Sequence, residues 1–286
     1  VATRPREIDG YRQDAGFTWP DEVPWSLLGP AFVERWGRPD GQVQPEHVEI
    51  TGQSGSGKTY VLVTLLQERA LMRDSSEILI ITKKADDTIH RLGWPIVDNW
   101  RDLQRYKQVI FWPQTSSVGH EREVYHEAKI YELLTRLWTP EANTVVAFDE
   151  IGYIEDLPGP GRHRNRLKRL IKQYWREARS HGITIVAMKQ RPIGVVRDQH
   201  SESRWKIVFP AADEDDFDRF AELLGPPRDW VPVLRSLQKR QFVIRNSYSR
   251  EAYISWIDYD VQPIPAQSHP PDRTAREYLH GRKKRA

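Results

Sequence analysis

The sequence predicts an α/β fold, with a mostly parallel central sheet, helices on both faces and an antiparallel hairpin at one edge. Three observations carry the prediction. A glycine-rich turn joins a short apolar run to a long apolar segment; apolar runs then alternate with helical segments as far as residue 225; and two late apolar runs flank a short polar turn. Alternation of this kind builds parallel sheets covered by helices, while adjacent strands across a short turn pair antiparallel.

Taken in order, "HVEI" (47 to 50) reads as a strand, followed by the turn and a buried helix over 59 to 72. The runs "EILIIT" (77 to 82) and "QVIFWP" (108 to 113) are short and apolar enough to be buried strands, and residues 121 to 138 carry an amphipathic helical period. "TVVAFDE" (144 to 150), "ITIVAMKQ" (183 to 190) and "RWKIVF" (204 to 209) continue the strands, with helices over 163 to 180 and, more acidic, 213 to 225. "KRQFVIRN" and "EAYISWI" form the edge hairpin. Residues 1 to 44 are rich in proline and aromatics without a sustained period, and read as an irregular arm packed on the core or on a neighbouring subunit. A globular unit over 45 to 261 follows, then a proline-rich linker and basic tail over 262 to 286.

The turn, "TGQSGSGKTY", holds the chemistry. Gly52, Gly57, Lys58 and Thr59 match G-x-x-x-x-G-K-[ST], in which backbone N–H groups of residues 52 to 60 (Gly52, Gln53, Ser54, Gly55, Ser56, Gly57, Lys58, Thr59, Tyr60) wrap phosphates at the start of a helix. Lys58 is expected to reach the β and γ phosphates of ATP, and the Thr59 hydroxyl to hold Mg²⁺. Asp149 and Glu150 end an apolar run, at the strand end where open parallel sheets bind ligands. Asp149 is expected to hold Mg²⁺ through its water shell, and Glu150 to polarise an attacking water, which favours hydrolysis over transfer to a metabolite. Gln190 ends the next strand, where its amide can donate to a γ-phosphate or water.

Composition sets limits. At 286 residues the chain can bury a substantial core, and it has no cysteine, which excludes disulfides and thiolate metal sites. No apolar run approaches a membrane span and the first residues lack a signal-peptide core, so a cytoplasmic protein is expected. A net charge of +3 permits a nucleic-acid partner without requiring one. The histidines of "HEREVYH" are six apart rather than four, so they do not share a helix face for zinc.

Together "GQSGSGKT", "VVAFDE" and "REARSHGITIVAMKQRPIGVVRDQHSESRWKIVF" (176 to 209) resemble the FtsK/HerA superfamily of P-loop ATPases over roughly residues 45 to 210, and "ITKKADD" (81 to 87) is similar to that family's strand after the first helix. The resemblance implies a RecA-like sheet in which the glutamine strand lies between the phosphate-loop strand and the acidic strand. It implies an ATP- and Mg²⁺-dependent motor acting on double-stranded DNA, working as a homo-oligomeric ring, usually a hexamer, with an arginine donated across the subunit interface. Arg179 is the first candidate for that arginine and Arg176 the second. The chain lacks the membrane spans, long linker and winged-helix domain of chromosome translocases, which leaves a compact motor for viral genome packaging or mobile-element transfer. An assembly or secretion ATPase acting on protein is the alternative.

The helix at 163 to 179 carries Leu167, Leu170, Ile171, Tyr174, Trp175 and Ala178 on one face and Arg162, Arg166, Arg169, Lys172, Arg176 and Arg179 on an adjacent one. That basic stripe is either solvated or set against a DNA channel or subunit interface.

Overall fold

The computed structural model describes residues 7–8, 11–12, 16–36, 46–72, 75–83, 87–190, 197–211, 213–259 and 266. Apart from residue 266, the proline-rich linker and basic tail therefore lie outside the described residues, as do residues 191 to 196 after Gln190.

Two short strands, β1 (Glu7–Ile8) and β2 (Tyr11–Arg12), pair as a separate ribbon. Then come β3 (Asp21–Glu22), α1 (Trp25–Trp36), β4 (His47–Thr51), α2 (Lys58–Met72), β5 (Ser76–Ile80) and α3 (Asp87–His90). After β6 (Ile96–Val97) and β7 (Gln108–Phe111) come α4 (Gly119–Leu137), β8 (Thr144–Phe148), α5 (Ile151–Glu155), α6 (Arg166–Glu177) and β9 (Ile183–Lys189). The chain continues through α7 (Arg197–Glu202), β10 (Ser203–Val208), α8 (Phe217–Leu224), α9 (Pro227–Ser236), β11 (Phe242–Asn246) and β12 (Ala252–Ser255).

Among the described residues one sheet of ten strands runs β3-β12-β11-β10-β4-β9-β8-β5-β7-β6. From β10 to β6 every pairing is parallel, and β11 and β12 form the antiparallel hairpin beside them. The glutamine strand β9 lies between the phosphate-loop strand β4 and the acidic strand β8, the order the resemblance implies. Strands β4, β5, β8 and β9 are buried along their whole length, as parallel strands covered on both faces must be, which is why they read as nearly continuous apolar runs.

On one face Val48, Ile50, Val186, Met188, Trp205 and Ile207 pack against α1 and α2. On the other, Ile78, Val146, Phe148, Ile183 and Ile185 pack against α4, α5 and α6, while Val208, Val243 and Ile254 meet α8 and α9. Between these two apolar patches lies a buried charged row. Glu49 of β4 pairs with Lys189 of β9, and His200 Nδ1 lies 3.5 Å from its other oxygen. Lys206 of β10 donates to the His200 carbonyl at 3.0 Å. Burial alone would raise the Glu49 pKa, yet Lys189, His200 and Lys206 hold it well below the carboxylate range.

The segment expected to be irregular over 1 to 44 contains α1, whose Trp25, Phe32, Val33 and Trp36 enter the core. Pro30 inside this helix hides it from pattern reading, because an interior proline costs about 3 kcal/mol in helix propensity. Four buried side chains at roughly 1.5–3 kcal/mol each outweigh that penalty. Helix α9, with Pro232 in its interior, escaped notice for the same reason.

Candidate active site

At the end of β4 the chain turns over the sheet edge into α2. The Gly52 N–H donates to Lys189 O at 3.2 Å, and Phe209 N–H donates to Thr51 O at 2.9 Å, so the loop is tied to the ends of both neighbouring strands. A Cβ on Gly52 would lie 2.6 Å from Phe209 Cβ and 2.9 Å from Ser56 Oγ, closer than packed atoms approach. Gly57 has φ +111, reserved for a residue without a side chain. The Ser56 N–H donates to Gln53 O at 3.2 Å, and Lys58 Nζ donates to the same carbonyl at 2.7 Å.

Above the loop opens a cavity of about 730 Å³. Ser54, Gly55, Gly57, Lys58, Thr59 and Tyr60 line it from the loop and α2; Asp149, Glu150 and Gln190 line it from the ends of β8 and β9. Every one of those predicted residues thus meets at one place. Gly52, Gln53 and Ser56 shape the loop from beneath rather than line the cavity. Gln53 Nε2 and Ser56 Oγ are buried beneath the loop without a hydrogen-bond partner among the described residues, while on the cavity side the loop presents the Lys58 ammonium, the charge an anionic ligand calls for.

Charge converges on the same space. Burial holds the Lys58 ammonium down to about 8, against the pull of Glu150 and Asp149, with Lys83 adding to the depression. Burial raises the Glu150 carboxyl, and a hydrogen bond from the Gln190 side chain opposes it. Asp149 is buried, its N–H donates to Ile80 O at 3.1 Å, and Lys83 Nζ stands 3.4 Å from its Oδ2. The Thr59 hydroxyl and the Asp149 carboxylate are among the hard oxygen donors that line the cavity, the type that suits Mg²⁺.

Sequence reading missed the rest of the wall. Thr88 and Arg91, Phe209 and Arg240, and the segment Ile257, Asp258 and Tyr259 after β12 also line the cavity. Tyr60 Oη donates to Tyr259 O at 2.9 Å across 199 residues of chain. No local spacing marks such a partner; only the edge hairpin, which returns the chain to this end of the sheet, could have pointed to it.

Arg179 lies elsewhere. It precedes β9, at the opposite end of that seven-residue strand from Gln190, roughly 20 Å away at about 3.3 Å per residue, and pairs with Glu202 at 3.2 Å. The basic stripe is also shorter than expected. Arg166 is turned inward to a two-pronged ion pair with buried Glu127, at 2.9 and 2.8 Å, over the Tyr131 ring. Arg169, Lys172 and Arg176 remain exposed, and the Arg162 side chain is outside the described ones.

No protein-family model and no curated protein sequence matches the chain. Its fold is similar to the genome packaging NTPase B204 from Sulfolobus turreted icosahedral virus 2 in complex with AMPPCP, at 13% identity over 75% of this chain and 98% of that one, TM-score 0.55. It is also similar to VirB4 of Thermoanaerobacter pseudethanolicus, at 10% identity over 75% and 89% of the two chains, TM-score 0.56. The fold is thus RecA-like, of the kind these P-loop ATPases have. A third similar structure, the cytoplasmic domain of the Thermomonospora curvata Type VII Secretion ATPase EccC, aligns at 14% identity over 79% of this chain and 27% of that one, TM-score 0.53. Among the described residues no helix is long and apolar enough to cross a membrane.

Proposed function

We propose that the protein is an ATP-hydrolysing motor of the FtsK/HerA superfamily that moves double-stranded DNA, in viral genome packaging or mobile-element transfer. The observation that carries hydrolysis is the convergence of Glu150, with its raised carboxyl and its Gln190 partner, on the cavity that Lys58 enters. The raised pKa makes Glu150 a better base for a water, and Gln190 fixes its orientation. Lys58 holds the phosphates of the substrate, and the cradle's N–H groups neutralise charge as it builds on the leaving diphosphate. Thr59 and Asp149 would hold Mg²⁺, whose charge supports the same phosphates.

The unit responsible spans residues 45 to 261, and α1 of the preceding arm packs into it. A homo-oligomeric ring, a hexamer, in the cytoplasm is the working assembly, with Arg179 serving a neighbouring subunit. Similarity to a genome packaging NTPase supports DNA as the substrate. Similarity to a type VII secretion ATPase supports a second reading, an assembly or secretion motor acting on protein.

Steady-state ATP hydrolysis, with and without long double-stranded DNA at low and moderate salt, separates the two. Salt-sensitive stimulation by DNA is expected, since phosphate contacts release counterions. Lys58→Ala should abolish turnover, and Glu150→Gln should retain ATP while losing about 10²–10⁴ in rate, the span general-base catalysis covers. Brisk hydrolysis indifferent to DNA would favour the protein-moving reading, and normal turnover by Glu150→Gln would remove Glu150 as the base.

A further inference from the structure

The turn between α9 and β11 is closed twice. The Gln241 N–H donates to Gln238 O at 3.0 Å, and the Gln238 N–H donates to Gln241 Oε1 at 2.8 Å. Its third residue, Arg240, has φ +71. Turns of this kind place glycine or asparagine there, because a longer side chain in the left-handed region is strained. Four non-glycine residues among those described have positive φ, namely Glu141, Asn143, Arg240 and Arg250, and of these Arg240 alone lines the nucleotide cavity. Strain that the surroundings over-determine collects at functional positions.

The order of strands says which half of the ligand Arg240 meets. Glu150 and Gln190 follow β8 and β9, on one side of the phosphate-loop strand β4, and they define where the terminal phosphate must lie. Phe209, the Arg240 turn, Ile257 and Tyr259 adjoin β10, β11 and β12, on the other side. Among the described residues the lining cations are Lys58, Lys83, Arg91 and Arg240. Of these, Lys83 stands beside Asp149 and Arg240 is the one supplied from the β10–β12 side.

We propose that Arg240 is a nucleotide-holding residue acting within its own chain, its guanidinium set on the α-phosphate and ribose half of the ligand. It therefore binds triphosphate and diphosphate alike and leaves the chemical step to the opposite wall. The assignment rests on the ATPase reading of the cavity.

Arg240→Gly, Arg240→Ala and Arg240→Lys in the full chain test it, through equilibrium binding of ATP and ADP, the division between KM and kcat, and thermal unfolding. Arg240→Gly relieves the turn, so its midpoint should rise while its affinity for both nucleotides falls about tenfold, the loss of one charge-assisted hydrogen bond. Arg240→Ala should lose the same affinity without the gain in midpoint, Arg240→Lys should recover part, and in each the loss should fall on KM. A raised midpoint in Arg240→Gly with both affinities unchanged overturns the proposal, as does a fall in kcat with ADP affinity intact, which marks contact with the terminal phosphate. If the wild-type chain binds neither nucleotide, the ATPase reading itself is lost, and with it this assignment.

Discussion

Lys58 shows how one residue couples folding, protonation and ligand. The site built from Gly52 to Tyr60 desolvates its ammonium, so in the free protein it titrates near 8 instead of the ordinary 10.5. Bound phosphates favour the charged form and restore a higher pKa. Binding at pH 8.5 should therefore take up protons, and binding at pH 7, where Lys58 is already charged, almost none. Calorimetry of ATP binding in buffers of different ionisation enthalpy measures this: a buffer-dependent enthalpy at pH 8.5 that vanishes at pH 7 is expected, and no dependence at either pH would separate Lys58 from the phosphates. Lys58, Asp149, Glu150 and Gln190 were legible because each is tied to a local pattern, a glycine spacing or the end of an apolar run. Arg240 and Tyr259 were not, because their place is set by contacts across the whole chain.

At the scale of elements, the segment after β12 is pinned to α1 and α2 while it walls the cavity. Asp258 accepts from Ser26 N–H at 2.8 Å and Ser26 Oγ at 2.5 Å, and Trp25 N–H donates to Trp256 O at 2.9 Å. Tyr259 Oη and Trp25 Nε1 both donate to Glu68 of α2. Asp258 thereby holds the start of α1, which the sequence reading left irregular because its proline and aromatics follow no period. Asp258→Ala should cost about 0.5–2 kcal/mol, as loss of an N-terminal helix cap does, lowering the unfolding midpoint by roughly 2–4 °C per kcal/mol. A midpoint equal to wild type would show that this contact holds neither α1 nor the wall.

For the whole molecule, the separation of Arg179 from Gln190 along β9 decides how the arginine can work. It cannot reach its own nucleotide, so any catalytic part it plays is on a neighbour's. Arg179→Ala should bind ATP normally yet fail in turnover, and mixing it with Glu150→Gln should recover part of the activity through sites that unite one intact residue from each. Full turnover by Arg179→Ala alone would place the interface arginine elsewhere. The parallel order of strands could be read from the alternation of elements, and the central place of β9 only from the family resemblance, since strand order leaves no mark in local spacing.

The charged row of Glu49, Lys189 and Lys206 fixes that order in a further way. Side chains alternate along a strand, so a slip of one residue in β9 would thrust Lys189 into the apolar layer beneath α1 and bring Met188 against Glu49. Wrong alignments of the three strands are thus penalised heavily. The strands are also remote from one another in sequence: Ile185 N–H reaches His47 Nδ1 across 138 residues. Closing loops of that length is among the slower steps of folding. Because Gly52 is anchored on Lys189, the glycine-rich loop has its native shape only when β4 and β9 are paired, so the form of the proposed phosphate cradle depends on residues more than a hundred positions away in sequence.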